Sequence, residues 1–311
     1  MDRSSYFIPS KALFGSYPNQ DSVNELESIG VRYFINLTRS SEALILYNLS
    51  DKSQRIDYPI IDRKIPSNKL SFSKFVIRIA NIILKLTHNE KIYIHCKGGH
   101  GRSGVLVACL LCYIYDIKPN EALLRTTEYH SQRKEMRSLW RTIGSPQTTQ
   151  QKNFVIRLFE PLLFYKAYKI GPTTGFSNFS THSIYLKIFD ITFPSTEAAF
   201  NAFKDPENKE YIKQLQNTKS PFAAKDLGKK CNLRTDWYER REEFMTIVIN
   251  SKLNQHEDFR ENLKNSHLRK IIHHTQKDKF WGDGPDGNGK NILGKILMKC
   301  RNNLIKNIET P

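Results

Sequence analysis

The stretch IYIHCKGGHGRSG, residues 92–104, decides the fold of the first half of the chain. It begins in a short apolar run and leads into a longer one, which predicts a buried strand, a glycine-rich loop and a buried helix in succession. Cys96 and Arg102 lie six positions apart at the two ends of the loop. Loop amides and the helix N-terminus would converge on one point, so the sequence predicts an anion site beside a cysteine.

The chemistry expected of this loop is covalent phosphoryl transfer. The amides and the Arg102 guanidinium favour the thiolate form of Cys96, which is the nucleophilic form. Ser103 can hydrogen-bond the sulfur and ease its departure in a second step. The expected phosphate-binding residues are Lys97, Gly98, Gly99, His100 and Gly101. The three glycines permit positive-φ turns. The alternative, a buried structural thiol, would be favoured without the flanking strand, glycines and helix.

A general acid is predicted at Asp62. It follows a strand-like apolar segment at residues 58–61 and opens a loop that could fold over a bound phosphate. Asp62 would protonate the leaving oxygen and later take a proton from the attacking water, since one carboxylate can serve both steps. The alternative is a solvent-exposed turn residue.

Residues 1 to about 163 resemble a cysteine-dependent dual-specificity phosphatase of the protein tyrosine phosphatase superfamily. The matching segments, besides the loop, are residues 8–18, 35–38, 59–62 and 146–160. The resemblance implies four catalytic roles: nucleophile Cys96, phosphate clamp Arg102, leaving-group helper Ser103 and acid Asp62. Family members that act on acidic lipids or multiply phosphorylated compounds carry basic residues at the positions of Lys97 and His100. The resemblance therefore implies an anionic phosphate ester as substrate, with a phosphorylated protein as the alternative.

The first half alternates strand-like and helical segments. Strands are predicted at residues 33–37, 56–61 and 92–94, and helices at residues 72–86, 105–115 and 120–140, the last capped by Asn120. This alternation predicts an α/β domain with a central sheet and helices on both faces. An amphipathic helix then ends near Pro161. We therefore expect two domains, residues 1–163 and 164–311, with almost no linker.

The composition narrows the class of partner. The chain has 311 residues, enough for two domains with real cores, and a formal net charge of +17. The excess is evenly divided, with 23 Lys and Arg against 14 Asp and Glu in residues 1–163 and 25 against 17 in residues 164–311. An even excess favours anionic partners in general, for which phosphorylated metabolites suffice.

The five cysteines are odd in number and show no disulfide-framework spacing, which indicates a reducing compartment. Cys109 and Cys112 form a CxxC inside an apolar helix and are interpreted as core thiols. The N-terminus lacks a signal-peptide pattern, and the longest apolar run, residues 105–115, is too short to span a bilayer. We expect a cytoplasmic protein with no membrane span, no metal and no cofactor.

Two polar features mark the second half. Residues 192–204 read as an amphipathic helix that would place Glu197, Asn201 and Lys204 on one face. A pocket wall and an ordinary solvated face are equally good interpretations of that set. The second feature is a loop at residues 281–291 with four glycines, which predicts a backbone that approaches a ligand closely, with Trp281 as a stacking surface.

Residues 164–311 resemble the YbiA/NADAR family of N-glycosidases, which cleave ribose–base C–N bonds. The matching segments are residues 176–179, 193–204, 223–228, 234–237, 244–245 and 278–298, with Arg301. The resemblance implies a mostly helical α+β domain, with Glu197 and Asp278 in catalysis. It implies substrate binding by Asn201, Lys204, Trp281, Gly282, Asp283 and Asn291. A carboxylate can stabilise an oxocarbenium-like transition state and orient water without a metal.

The expected protein is a bifunctional hydrolase, a phosphatase fused to an N-glycosidase. By the resemblance, the second substrate is a ribosylated or ADP-ribosylated base, such as an early riboflavin-pathway intermediate or ADP-ribosylated guanine. The chain departs from the usual family residues at Ala198, Ala199, Asn201 and His273. These departures motivate an alternative, in which the second half binds NAD or ADP-ribose-like ligands without turnover and regulates the phosphatase. A nucleic-acid processing enzyme is a third alternative, with nucleic acid only as a modified substrate.

Overall fold

The computed structural model describes residues 2–165 and 171–307. The chain forms two compact units, Met1–Glu160 and Pro161–Pro311. In the described part of the chain, none of the helices combines the length and the apolar composition needed to cross a membrane.

A five-stranded mixed sheet forms the centre of the first unit. Its strands in spatial order are β1 (Ser4–Ile8), β2 (Ala12–Gly15), β5 (Lys91–His95), β3 (Val31–Asn36) and β4 (Gln54–Asp57). β1 is antiparallel to β2, and the other neighbouring strands are parallel. The carboxyl ends of the four parallel strands therefore meet at one edge, where ligands bind in open α/β sheets.

Six helices cover this sheet on both faces, as the sequence predicted. They are α1 (Gln20–Ser28), α2 (Lys69–Lys85), α3 (Arg102–Tyr115), α4 (Pro119–Ser131), α5 (Ser138–Ile143) and α6 (Thr149–Phe159). Val23 and Leu26 of α1 pack against strand residues including Phe34. The apolar helix α3 packs against β2 and β5. Cys109 and Cys112 are buried in α3, as predicted.

The helix predicted over residues 120–140 is wrong in two respects. It is broken after Ser131, where Arg133 turns inward and donates to the carbonyl oxygens of Gly99 at 2.9 Å and Phe14 at 3.1 Å. It also begins at Pro119 instead of being capped by Asn120. Proline suits the first helical position because its missing N–H would have no partner there.

The second unit is mostly helical with two small sheets, which confirms the predicted α+β class. β6 (Leu162–Phe164) pairs in parallel with β9 (Ile271–His273), and β7 (Ile184–Leu186) forms a hairpin with β8 (Ile191–Phe193). The helices are α7 (Thr196–Ala202), α8 (Lys209–Gln216), α9 (Pro221–Leu227), α10 (Trp237–Gln255), α11 (Glu257–Asn265) and α12 (Ile292–Asn307). α7 and α10 pack together in the core. α7 begins three residues after the end of β8.

Candidate active sites

The loop between β5 and α3 is built as the sequence predicted, from His95 to Arg102. The Cys96 sulfur and the Ser103 hydroxyl oxygen are both buried and lie 3.5 Å apart. Of the three loop glycines only Gly99 has a positive φ, +75°. A Cβ at Gly99 would also collide with the backbone of Gly15. The expectation of positive φ at Gly98 and Gly101 is wrong.

The Arg102 guanidinium is held from several sides. It is 1% exposed and donates to the carbonyl oxygens of Leu37 at 3.4 Å and Ile60 at 3.0 Å. Both of its terminal nitrogens also bind the carboxylate of Glu42, with 3.0 Å between Nη2 and Oε2. This two-pronged contact fixes the plane of the guanidinium.

The Glu42–Arg102 pair stays ionised. Burial by itself would raise the pKa of Glu42, but the hydrogen bonds from Arg102 and from the Arg39 amide hold it below its usual value. Burial likewise would lower the pKa of Arg102, and the Glu42 carboxylate more than offsets it. The Arg102 guanidinium is therefore a permanent cation whose orientation is fixed by its contacts with the protein.

Asp62 reaches the same guanidinium. Its Oδ1 lies 2.9 Å from Nη2 of Arg102, and its side chain is 55% exposed. The structure thus brings the acid candidate to the loop and leaves it room to change rotamer towards a leaving group.

His95, directly before the nucleophile candidate, is fully buried. Its Nε2 lies 2.8 Å from the Tyr47 hydroxyl. Burial, assisted by the charge of Arg55, lowers the pKa of His95 to about 3. His95 is therefore neutral at physiological pH, and its contact with Tyr47 fixes the end of β5 beneath Cys96.

His100 contributes no positive charge to the loop. Its Nδ1 lies 2.7 Å from Nε2 of His130, and its ring stacks on Trp140 at 4.7 Å. Burial and the nearby Arg133 lower the pKa of His100 to about 4. The expectation of a basic residue here is wrong at neutral pH, so the exposed Lys97 is the cation that the loop itself presents.

In the second unit, Glu197 and Asn201 lie together on α7. The Asn201 amide donates to the Glu197 side-chain Oε1 at 3.2 Å and to its carbonyl oxygen at 2.9 Å. The Glu197 amide donates to the Asn178 carbonyl oxygen at 3.1 Å. The i, i+4 spacing therefore produces a direct contact, while the third member of the predicted face, Lys204, lies just beyond the end of the helix.

Cations surround the Glu197 carboxylate. Burial raises the pKa of Glu197, and the Asn201 amide with the charges of Lys225 and Lys204 lowers it only in part. Lys204 donates to the Gly228 carbonyl oxygen at 2.7 Å. Glu197 as a residue is half-buried, and the proton affinity of its carboxylate is raised above the usual value.

The tryptophan loop approaches α7 through its indole. The ring centroids of Trp281 and Phe200 lie 5.4 Å apart. Asp278 Oδ1 accepts from the backbone amides of Phe280 at 2.9 Å and Trp281 at 2.8 Å. This carboxylate shapes the turn that presents the indole.

The side chains of Asp283 and Asn291 also form hydrogen bonds with neighbouring residues of the second unit. Asn291 accepts from the His273 amide at 3.0 Å and donates to the Ile271 carbonyl oxygen at 2.9 Å, which ties the loop to β9. Asp283 binds the His274 ring at 2.8 Å and the Thr275 amide at 2.9 Å. Gly282 is buried where a Cβ would collide with Thr275. In this structure these polar groups build the loop that was expected to face a substrate.

The departures at Ala198 and Ala199 do not lie in the pocket. Both residues are fully buried in the hydrophobic core of the second unit. These two departures from the usual family residues therefore offer no surface to a ligand, since α7 turns both positions inward. His273 stacks on Phe164 with 5.0 Å between ring centroids.

Comparison with known proteins identifies both halves. Residues 1–155 match the family described as Swiss Army Knife protein, DSP-PTPase phosphatase domain, and residues 163–305 match the NADAR domain family. The chain is 32% identical over 315 residues to "Putative tyrosine phosphatase 197R" of Invertebrate iridescent virus 6, covering 98% of this chain and 96% of that protein. The chain belongs to the family of this viral protein.

Two further relatives include one named a phosphatase and one named an N-glycosidase. "Putative tyrosine phosphatase 067L" of Invertebrate iridescent virus 3 is 34% identical to this chain over 185 residues. The match covers 60% of this chain and 77% of that protein. N-glycosidase YbiA of Escherichia coli strain K12 is 35% identical across 42% of this chain and 80% of its own length. The family member described here therefore joins a phosphatase-family domain to an N-glycosidase-family domain, as the two resemblances predicted.

Several residues of these two sites were not found from the sequence. Glu42 and Tyr47 lie in the segment after β3, far along the chain from the loop that they support. Asn178 and Lys225, which lie beside Glu197, fall inside segments that matched the NADAR family. The sequence feature that could have identified Asn178 and Lys225 as site residues is their position inside these family-matching segments.

Glu42→Gln is expected to lower kcat/KM for a phosphate monoester by about tenfold, because a neutral amide replaces a charge-assisted contact worth about 1–2 kcal/mol. Steady-state assays on p-nitrophenyl phosphate measure this. Glu128→Gln, at an exposed position of α4, is the matched control and should behave as the wild type. Equal activity of the two variants would contradict a role for Glu42 in orienting Arg102.

Proposed function

We propose that the chain is a bifunctional hydrolase whose first unit cleaves phosphate monoesters through Cys96. The observation that carries this proposal is the 3.5 Å contact between the Cys96 sulfur and Ser103, inside a loop that ends at the buried, pre-oriented Arg102. Arg102 and the loop amides bind the phosphoryl oxygens, and Lys97 adds positive charge at the rim. Family membership supports this assignment.

The reaction has two steps. In the first, the Cys96 thiolate forms a bond to phosphorus, the ester P–O bond breaks, and Asp62 gives its proton to the leaving oxygen. In the second, the Asp62 carboxylate takes a proton from water, whose oxygen bonds to phosphorus as the P–S bond breaks. A hydrogen bond from Ser103 stabilises the departing thiolate.

We propose that the second unit hydrolyses an N-glycosidic bond with Glu197. The ionised Glu197 carboxylate stabilises an oxocarbenium-like transition state as the C–N bond breaks. Water adds its oxygen to the anomeric carbon and gives a proton to the carboxylate, which passes that proton to the nitrogen of the departing base. Trp281 offers a stacking surface to a base. Similarity to N-glycosidase YbiA supports this function. The proposed substrates are ribosylated bases, either ribosylaminopyrimidine phosphates or ADP-ribosylated guanine, whose negative charge suits a chain of net charge +17.

Both activities can be tested on one preparation. The purified chain is expected to release phosphate from p-nitrophenyl phosphate and to release free base from a ribosylaminopyrimidine phosphate or ADP-ribosylated guanine, detected by chromatography. Absence of phosphate release from every monoester tried would refute the first proposal. Tight binding by calorimetry without base release would refute the second and favour a ligand-binding regulatory domain.

A further inference from the structure

Lys252 on α10 is a fully buried lysine whose side chain neither proposed reaction uses. Its ammonium donates to the Ser180 hydroxyl at 2.6 Å, to the Ser177 carbonyl oxygen at 3.4 Å and to the Gly175 carbonyl oxygen. The ammonium also lies 4.8 Å from the centroid of the Phe259 ring. All three oxygen acceptors belong to residues 175–180, so one side-chain nitrogen holds a single segment of chain.

Burying the Lys252 ammonium costs folding free energy, which argues against an incidental packing role. The acceptors are two carbonyls and a hydroxyl, which neutralise the charge less well than a carboxylate would. Burial lowers the pKa of Lys252 to about 7, with a partial offset from Asp258. An apolar side chain of similar volume would usually pack here at lower cost. The ammonium therefore achieves something that an apolar residue would not, namely three hydrogen bonds to irregular backbone.

The segment at residues 175–180 leads directly to the N-glycosidase site. The Asn178 carbonyl oxygen accepts from the Glu197 amide at 3.1 Å. The Phe179 ring lies 4.8 Å from Phe222 on α9 and 5.6 Å from the ammonium of Lys225. The segment thus contacts both the helix that carries the proposed catalytic carboxylate and the helix that carries a cation acting on it.

We propose that Lys252 is a positioning residue, whose ammonium clamps residues 175–180 and thereby sets the geometry of Glu197 and Lys225. This inference rests on the proposed N-glycosidase function. Without the clamp, the segment loses three hydrogen bonds, and the Glu197 backbone loses a fixed acceptor. Substrate contacts through Trp281 would persist, so the loss falls on the transition state more than on binding.

Lys252→Met tests the proposal, since methionine keeps most of the volume and removes the ammonium. We expect kcat for base release to fall at least tenfold while KM changes less than threefold. Lys264→Met is the matched control, because Lys264 lies on α11 and pairs with Glu261; it should leave both constants unchanged. Release of p-nitrophenol reports on the first unit in the same sample, and the fluorescence of Trp237 and Trp281 during thermal unfolding reports that the second unit is folded.

The outcomes separate this inference from the proposed function. Wild-type kcat in a folded Lys252→Met protein would overturn the inference alone. Absence of base release from the wild-type protein would overturn the proposed function, and the inference with it. If Lys252→Met does not fold, Ser180→Ala removes one acceptor, and a kcat about threefold below wild type is expected. An unchanged kcat in Ser180→Ala would then overturn the clamp.

Discussion

Cys96→Ser is expected to abolish phosphate release, with kcat/KM for p-nitrophenyl phosphate falling at least about a thousandfold, the scale seen when a catalytic nucleophile is removed. A serine hydroxyl stays protonated at neutral pH and is a far weaker nucleophile than a thiolate. The substitution is nearly isosteric, and the contacts of Arg102 with Glu42 and Ile60 do not involve the sulfur. Phosphate binding should therefore survive the loss of turnover, which titration with inorganic phosphate measures.

Cys112→Ser is the matched control for this prediction. Cys112 lies on α3, where burial raises the pKa of its thiol to about 12, so it cannot serve as a nucleophile at neutral pH. Activity close to wild type is expected from Cys112→Ser, and a phosphoenzyme should form in it but not in Cys96→Ser. Activity above a tenth of wild type in Cys96→Ser would place the nucleophile elsewhere. Base release should be the same in all three proteins.

The sequence predicted the strand, the loop and the helix around Cys96 well because the information is local. The strand, the loop and α3 follow one another without interruption, so one pattern places the Cys96 and Ser103 pair. The residues that complete the site are remote in sequence. Glu42 and Tyr47 reach the loop because β3 and β5 are neighbours in the sheet, a pairing that periodicity along the chain does not encode.

The failures have a common physical cause. The break after α4 depends on acceptors for Arg133 that lie in a different loop and strand. His100 reads as a base by residue type, and only its burial against Trp140 makes it neutral. Residue type predicts what a group can do, whereas tertiary packing decides which partner it finds.

Glu197→Gln is expected to remove base release and to stabilise the second unit at the same time. A neutral amide cannot stabilise an oxocarbenium-like state or accept a proton, so a loss of about a thousandfold in kcat is expected. The stability gain follows from burial, which raises the folded-state pKa of Glu197 above its usual value. The folded state then holds its proton more tightly than the unfolded state does.

Because the folded state holds the Glu197 proton more tightly, the direction in which stability changes with pH is fixed. The pKa of Glu197 is near 4.5 in the unfolded chain and higher in the folded protein. Between these two values the unfolded chain has lost the Glu197 proton while the folded protein still holds it. Wild-type stability therefore falls as pH rises through this window and stays lower at neutral pH. Glutamine does not titrate. The variant should unfold at a higher temperature than wild type at pH 7, with the difference shrinking below pH 4.5, where the wild-type carboxyl is protonated in both states.

Thermal unfolding followed by tryptophan fluorescence measures this, since two of the three tryptophans, Trp237 and Trp281, lie in the second unit. Glu210→Gln, at an exposed position of α8, controls for the loss of one carboxylate and should change neither stability nor base release. A Glu197→Gln protein that is both inactive and less stable at pH 7 would mean that the carboxylate holds the fold together. Inactivity combined with a gain in stability is the behaviour of a group retained for chemistry at a cost to folding.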